Sequence, residues 1–216
     1  MASGSHSHLP EQSLARVHAL LARGAAQRVV LGLVGAPGAG KSTLASALQA
    51  SFADMSVVLP MDGFHLANSE LRRLGRAGRK GAPDTFDAAG YLALLQRLRD
   101  PAHAGETVYA PEFRRDIEEA VAGAIAIEPH HRLVITEGNY LLVDGGAWRG
   151  VAALLDECWY VDVDEQLRNE RLIRRHQAFG RTEQEAVQWA AQTDAPNARL
   201  VASTRVRADH AFRWGG

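Results

Sequence analysis

Hydrophobic positions alternate along the chain between two patterns. Continuous apolar runs, rich in branched residues, are typical of strands buried on both faces, and they occur at 28–34, 56–62, 132–144 and 157–164. Between them, apolar residues recur at helical spacing and predict helices at 11–23, from Lys41 onward, at 86–100 and at 165–178. Strands that alternate with helices in this way predict an α/β fold with a mostly parallel sheet covered on both faces. Ligands of such sheets bind beyond the carboxyl ends of the strands.

The remaining segments have weaker patterns. Residues 75–85 are rich in glycine, proline and arginine and predict an irregular loop. Pro111 excludes a central strand within 106–128, so we expect short strands or a hairpin-like excursion there. Thr182, with Glu185 three residues later, forms a capping box that predicts another helix around Trp189. The closing residues RADHAFRW predict an edge strand.

Composition indicates one globular domain, which we place at 10–216, after a disordered start at 1–9. The net charge of −1 favours neither nucleic acid nor an anionic membrane as a partner. No apolar run approaches membrane-spanning length, so we expect a soluble cytoplasmic protein. Cys158 is the only cysteine and lies in an apolar run, where a core position is favoured over catalysis. Three tryptophans are candidates for the core or for an interface, which leaves a homodimer open: Trp148, Trp159 and Trp189.

The stretch GAPGAGKST at 35–43 fits the pattern G-x-x-x-x-G-K-[ST], whose glycines allow backbone N–H groups to surround phosphate oxygens. A chance match is disfavoured because the stretch lies between a predicted strand and a predicted helix, whose N-terminus attracts anions. We expect Lys41 to contact the β- and γ-phosphates during catalysis and Ser42 to bind Mg²⁺. The predicted nucleotide-binding residues of this loop are Gly35, Ala36, Gly38, Ala39, Gly40, Lys41, Ser42 and Thr43.

Two carboxylates end the neighbouring apolar runs. Asp62 could accept a proton from an acceptor hydroxyl or approach the metal through water, or it could cap a helix; its position alone does not decide between them. Glu137 ends an apolar strand in a phosphate-loop protein, which favours a place at the metal over structural capping.

Three arginines of the helix predicted at 165–178 share one face, because Arg168, Arg171 and Arg175 are three and four residues apart. They could form a solvated stripe paired with neighbouring glutamates. We favour a lid at about 168–185 whose arginines stabilise charge on a transferring phosphoryl group, with Gly180 allowing it to close. Arg168 is then expected to bind the nucleotide, and the other two are expected to act in catalysis.

The nucleotide is expected to be ATP, because no Asn-Lys-x-Asp motif for guanine occurs. The chain is short for a mechanochemical ATPase. These features favour a small-molecule kinase. A non-catalytic ATP-binding regulator and a slow, acceptor-independent ATPase are the alternatives.

Six segments together resemble the phosphoribulokinase, uridine kinase and pantothenate kinase family across about 28–212, in the family's order. They are GAPGAGKST, MDGFH, RKGAPDTFD, VYAPEFRRDIEEAV, VITEGNYLL and RNERLIRRH followed by GR. RKGAPDTFD is similar to the branch named for fructose-transport-system kinases and to pantothenate kinases. The resemblance implies a three-layer α/β/α P-loop NTPase of the nucleoside/nucleotide kinase type, which uses ATP and Mg²⁺ to phosphorylate a metabolite hydroxyl.

The resemblance also implies roles for single residues. Asp62 would be the catalytic base, and Glu137 would lie near the metal or the acceptor. The acceptor would bind between 63–86 and 106–120, at His65, Lys80, Tyr109 and Arg114, although a core or surface role for each remains open. The chain has YAPEF where uridine kinases have Tyr-Asp-Phe, so the aspartate that holds ribose hydroxyls is missing and a nucleoside acceptor is disfavoured.

Overall fold

The computed structural model describes residues 9–24 and 27–214. The disorder predicted for 1–9 falls, apart from Leu9, outside this part of the chain. The helices are α1 (Glu11–Arg23), α2 (Lys41–Ser51), α3 (Asn68–Arg73), α4 (Ala88–Arg99), α5 (Glu165–Ala178), α6 (Glu183–Trp189) and α7 (Ala195–Ser203). The strands are β1 (Val29–Val34), β2 (Ser56–Pro60), β3 (Val108–Arg114), β4 (Glu119–Ile127), β5 (Leu133–Gly138), β6 (Glu157–Asp162) and β7 (His210–Arg213). None of the described helices is long and apolar enough to cross a membrane.

The central sheet has five parallel strands in the order β2-β5-β1-β6-β7. Val34 pairs with Gly138 on one side and with Tyr160 on the other, and Pro60 pairs with Glu137. The carboxyl ends of the three strands β2, β5 and β1 therefore lie side by side. The predicted parallel sheet is confirmed, and β7 is the edge strand expected from the closing residues.

Successive residues of β1 face two different cores, because side chains alternate along a strand. Val30 and Val34 belong to the core formed with α4, the β3–β4 hairpin and α7. Leu31 and Leu33 belong to the core formed with α1 and α2. Each face of the sheet is thus covered, which gives the three layers of an α/β/α fold. The lone Cys158 is buried in the first of these cores, as expected.

The segment around Pro111 is an antiparallel hairpin of β3 and β4, separate from the main sheet. The register shifts between Ala110 and Glu112, so Pro111, which has no N–H to donate, lies at the irregularity. This confirms the predicted excursion. The hairpin contacts the 3-10 turn Met61–Phe64 that follows β2, and so its tip lies next to Asp62.

Two further helices, α6 and α7, follow α5. The capping box predicted at Thr182 and Glu185 is present and begins α6. A π-helical turn, Ala190–Asp194, connects α6 to α7. Trp148 and Trp159 are buried in the core, whereas Trp189 is only partly buried.

Candidate active site

The turn between β1 and α2 leaves space for an anion. Gly38 and Gly40 have φ angles of 82° and 89°, which side chains other than glycine rarely adopt. A Cβ at Gly38 would also lie 2.9 Å from Cγ of Leu172 on α5, so this helix packs directly against the loop. Gly40 is the N-cap of α2, and no side chain caps the helix there. Its first backbone N–H groups are therefore available to a ligand.

Lys41 lies at the centre of this loop with only 8% of the residue exposed. Its ammonium donates to the carbonyl oxygens of Gly35 (3.0 Å) and Ala36 (3.2 Å) and to Oδ1 of Asn139 (2.7 Å). Burial lowers the pKa of Lys41, and the carboxylates of Glu137 and Asp62 partly offset that effect. The lysine is thus held in place by neutral oxygens, next to the carboxylates that would face a ligand.

Ser42 and Glu137 form a pair of oxygen groups beside the lysine. The serine hydroxyl donates to Oε1 of Glu137 at 2.9 Å. Burial raises the pKa of Glu137, against the opposing charge of Lys41. Among the described residues, no group of three or more His, Cys, Asp or Glu side chains is arranged so that it could hold a metal ion. A hydroxyl and a carboxylate fit a hard divalent cation that takes its other ligands from phosphate and water, as Mg²⁺ does. Within the described part of the chain, Glu137 accepts from the Ser42 side chain and not from a helix N–H, so the capping alternative finds no support.

Asp62 lies in the 3-10 turn after β2 and lines the same cavity as Lys41 and Ser42. Its Oδ2 accepts from Nη2 of Arg115 at 3.3 Å. Among the described residues, no backbone N–H donates to this carboxylate, so the helix-cap alternative is wrong. The carboxylate therefore faces the cavity, where a proton acceptor would have to be.

The acceptor side of the cavity, which has a volume of about 520 Å³ in all, contains two of the four residues expected there. Lys80 lines it, and so does His65, whose ring packs against Phe86 and Phe113 with centroids 4.0 and 4.7 Å apart. Nδ1 of His65 donates to the carbonyl oxygen of Asp62 at 2.7 Å, since that oxygen can only accept. Burial lowers the pKa of this imidazole, so it is neutral near pH 7 with Nε2 as an acceptor.

The other two predicted acceptor residues lie outside the cavity. Tyr109 is 63% exposed, because its neighbours in β3, Val108 and Ala110, take the buried face of the strand. Arg114 is exposed and pairs with Asp116. Arg115, one residue further on, lines the cavity instead. The prediction missed it because the hairpin turn, and not the strand period, decides which arginine points inward.

The three arginines of α5 separate into two groups. Arg171 and Arg175 line the cavity; Arg171 is exposed, whereas Arg175 is half-buried, and burial lowers its pKa. Arg168 does not line the cavity. It is 5% exposed, and its Nη1 donates to the carbonyl oxygen of Pro37 at 3.4 Å. Arg168 therefore binds the phosphate loop outside the cavity, because α5 packs closely on that loop.

Several cavity residues were absent from the sequence prediction. Asn139 follows Glu137 by two residues, a spacing that places both on one side of an extended chain and could have revealed it. A further group comes from the end of α5 and the segments beyond it: His176, Phe179, Arg181, Trp189, Asp194 and Asn197. The first three fall within the lid predicted at about 168–185 but were not singled out there, and no motif marks the last two. Trp189 was expected in the core or at an interface, but it carries the guanidinium of Arg181 3.8 Å above its ring.

Comparisons with known proteins identify the family that the chain resembles. Residues 30–212 match the model of the phosphoribulokinase / uridine kinase family. A Schizosaccharomyces pombe protein named "putative uridine kinase" is 34% identical over 194 residues, which cover 85% of this chain and 82% of that one. A pantothenate kinase from Mycolicibacterium vanbaalenii is 33% identical over 138 residues, covering 62% of this chain and 43% of its own.

Solved structures show a similar fold. The "putative fructose transport system kinase" from Silicibacter sp. TM1040 has a TM-score of 0.84 at 37% identity and covers 95% of this chain and all (100%) of its own. The fold is that of the P-loop kinases, with the three layers and the phosphate loop expected. The match spans the phosphate loop, both strand-end carboxylates and α5, and on this basis the chain belongs to the phosphoribulokinase/uridine kinase family of P-loop kinases.

Proposed function

We propose that this protein transfers the γ-phosphate of Mg·ATP to a hydroxyl group of a small metabolite. The observation that carries the proposal is the meeting of Asp62, Lys41 and the Ser42–Glu137 pair in one cavity with two arginines of α5. Family members named for uridine and for pantothenate act on different acceptors, so the family supports the reaction type and leaves the acceptor open.

The nucleotide would occupy the loop side of the cavity. The backbone N–H groups at the start of α2 would bind the phosphates, and Lys41 would exchange its carbonyl partners for phosphate oxygens. Ser42 and Glu137 would hold Mg²⁺, which neutralises phosphate charge when it is bound. Arg171 and Arg175 would offset the charge that develops on the transferred group.

Asp62 would act as the general base. As the acceptor oxygen attacks the γ-phosphorus in line, a new O–P bond forms, the bond to the β-phosphate oxygen breaks, and the hydroxyl proton moves to the Asp62 carboxylate. ADP leaves with the electron pair of the broken bond. The 3-10 turn that holds Asp62 follows β2 and contacts the β3–β4 hairpin.

Two polar residues of the cavity wall favour an acceptor with further hydroxyl groups. Asn197 is 7% exposed, and its amide donates to the carbonyl oxygen of Gly81 at 3.3 Å. Asp194, also 7% exposed, contacts Nε2 of His176 through Oδ2 at 2.8 Å. Both residues line the cavity. Hydroxyl groups of the acceptor would donate to their side-chain oxygens.

Replacing Asp62 by Asn tests the proposal. Wild-type protein with Mg·ATP should release ADP when the right sugar, sugar phosphate, vitamin or hydroxy acid is added. Asp62→Asn should reduce that rate at least about 100-fold, the typical contribution of a general base, with ATP affinity near normal. Lys41→Ala should weaken ATP binding itself, and Asp116→Asn, whose carboxylate pairs with Arg114 on the surface, should retain activity.

The outcomes separate the alternatives. Equal losses of ATP affinity and rate in Asp62→Asn would contradict its role as base. ADP release that no added metabolite changes would indicate a slow ATPase. ATP binding without any turnover would favour a regulator.

A further inference from the structure

Arg115 lies at the tip of the β3–β4 hairpin, and three parts of the molecule hold its guanidinium. The ring of Phe113 on the hairpin is 5.8 Å away, and the ring of Phe179 at the end of α5 is 5.9 Å away. Nη2 donates to Oδ2 of Asp62 at 3.3 Å. The guanidinium therefore lies near two aromatic rings, beside the proposed catalytic base.

This ion pair uses only a small part of the hydrogen-bonding capacity of Arg115. The adjacent Arg114 binds Asp116 with both arms of its fork, Nε at 2.9 Å and Nη2 at 2.8 Å. Arg115 makes one longer contact, and its side chain is 43% exposed. Among the described residues, Asp62 is its only carboxylate partner. Most of its five N–H donors are free for a ligand.

A second cation flanks the same ring. The ammonium of Lys80 is 4.9 Å from the centroid of Phe113 and donates to two uncharged oxygens, Oδ1 of Asn68 (2.7 Å) and the carbonyl of Glu118 (2.5 Å). The carboxylate of Glu118 is 3.9 Å away and partly exposed to solvent. Two cations over one aromatic ring, on the acceptor side of the cavity, favour a negatively charged ligand there.

The pairing of Arg115 with Asp62 also affects the reaction. A hydroxyl that approaches Oδ2 of Asp62 must compete with the guanidinium already bound to it. An anionic group offers the arginine a bidentate partner and can draw it away, whereas a neutral molecule offers only weaker, uncharged acceptors.

We propose that the acceptor carries a carboxylate or a phosphate besides its reactive hydroxyl, and that Arg115 binds this group and in doing so releases Asp62. The inference rests on the proposed kinase function. Arg115 is then the residue that selects anionic acceptors over their neutral analogues.

Matched pairs of acceptors test the inference on the full-length protein. ADP release is measured with D-glycerate against glycerol, pantothenate against its alcohol, and fructose 1-phosphate against fructose. Binding of the same compounds is measured in parallel as a shift of the melting temperature in the presence of Mg²⁺ and a non-hydrolysable ATP analogue. Glycerate and pantothenate test for recognition of a carboxylate, and fructose 1-phosphate tests for recognition of a phosphate.

We expect an anionic member of a pair to bind and to be phosphorylated, and its neutral partner to do neither. Arg115→Ala should lower kcat/KM for that acceptor about 10- to 100-fold, the usual effect of losing hydrogen bonds to a charged group. Arg115→Lys should recover part of the lost kcat/KM. Arg114→Ala is the matched control, because its side chain points away from the cavity, and it should behave like wild type.

Three results would overturn the inference. One is a neutral acceptor that is phosphorylated as efficiently as its anionic partner, which would leave the kinase function intact. Another is Arg115→Ala lowering the rate for every acceptor equally while raising KM for ATP, which would place Arg115 on the γ-phosphate. The third is that no anionic compound binds in the melting assay. Selective binding of an anion without ADP release would support the acceptor class and contradict the kinase function.

Discussion

Asp62 is positioned by the residue that follows it. Gly63 lies so close to the hairpin that a Cβ on it would overlap the carbonyl oxygen of Pro111 and lie 2.7 Å from the carbonyl carbon. Both are backbone atoms of β3, which cannot move aside as the end of a flexible side chain can. The glycine thus lets the turn bearing the base and the hairpin bearing Arg115 approach each other.

Gly63→Ala should therefore separate the turn from the hairpin. We expect a loss of about 1–3 kcal/mol in the free energy of unfolding, typical of overpacking, and a fall in kcat greater than the effect on ATP affinity. Urea denaturation and ADP release measure the two effects. Gly105→Ala, where a Cβ meets nothing within 4 Å, is the control and should change neither. Wild-type stability in Gly63→Ala would contradict the packing argument.

At the scale of elements, one carboxylate of the sheet binds two arginines of α1. Glu157, the first residue of β6, accepts hydrogen bonds from Arg16 (2.6 Å) and Arg23 (3.2 Å) of α1 and from the indole of Trp159 (2.9 Å). Burial by itself would raise the pKa of Glu157, but the hydrogen bonds from Arg16, Trp159 and Arg23 outweigh it and lower the pKa below its ordinary value of 4.5.

A lowered pKa gives this contact a definite pH dependence. The ionised form is favoured in the folded state, so its stabilisation is present above pH 4.5 and is lost as the pH falls through the lower folded-state value. Glu157→Gln should cost about 1–3 kcal/mol at pH 7, and its difference from wild type should shrink in urea unfolding at pH 3–4 (about one unit below the ordinary pKa). Glu70→Gln, which removes an exposed pair with Arg73, should change stability little at either pH. A difference for Glu157→Gln that does not change with pH would contradict this assignment.

For the whole molecule, the cavity is where distant parts of the chain meet. The loop after β1, the turn after β2, the hairpin and the helices beyond β6 all line it. A ligand that contacts these parts binds the folded state and not the unfolded chain, so it stabilises the fold as a unit.

A non-hydrolysable ATP analogue with Mg²⁺, at about 100 times its dissociation constant, should raise stability by about 2.7 kcal/mol. For a chain of this size that corresponds to an increase of about 5–10 °C in melting temperature, which scanning fluorimetry or calorimetry measures. Lys41→Ala should lose most of the increase at the same concentration, and Arg114→Ala should keep it. An equal increase in Lys41→Ala would contradict the placement of phosphate at the loop.

The sequence alone predicted the strands of the parallel sheet, the helices α1, α2, α4, α5 and α6, the phosphate loop and the two strand-end carboxylates. Each of these depends on local information: apolar periodicity, glycines at fixed spacing, and the rule that the carboxyl ends of parallel strands lie at one edge of the sheet. Asp62 and Glu137 could be placed at the same site for that reason, without knowledge of their contacts.

The tertiary structure decided what depends on how separate segments meet. Arg114 and Arg115 are neighbours in sequence, and the hairpin turn determined which of them faces the cavity. Arg168 has the same helical spacing as its two partners, but the approach of α5 to the phosphate loop buries it behind Pro37. Asn197 lines the cavity from α7, the helix that follows the π-helical turn. Periodicity defines a face of an element, and only packing determines what that face contacts.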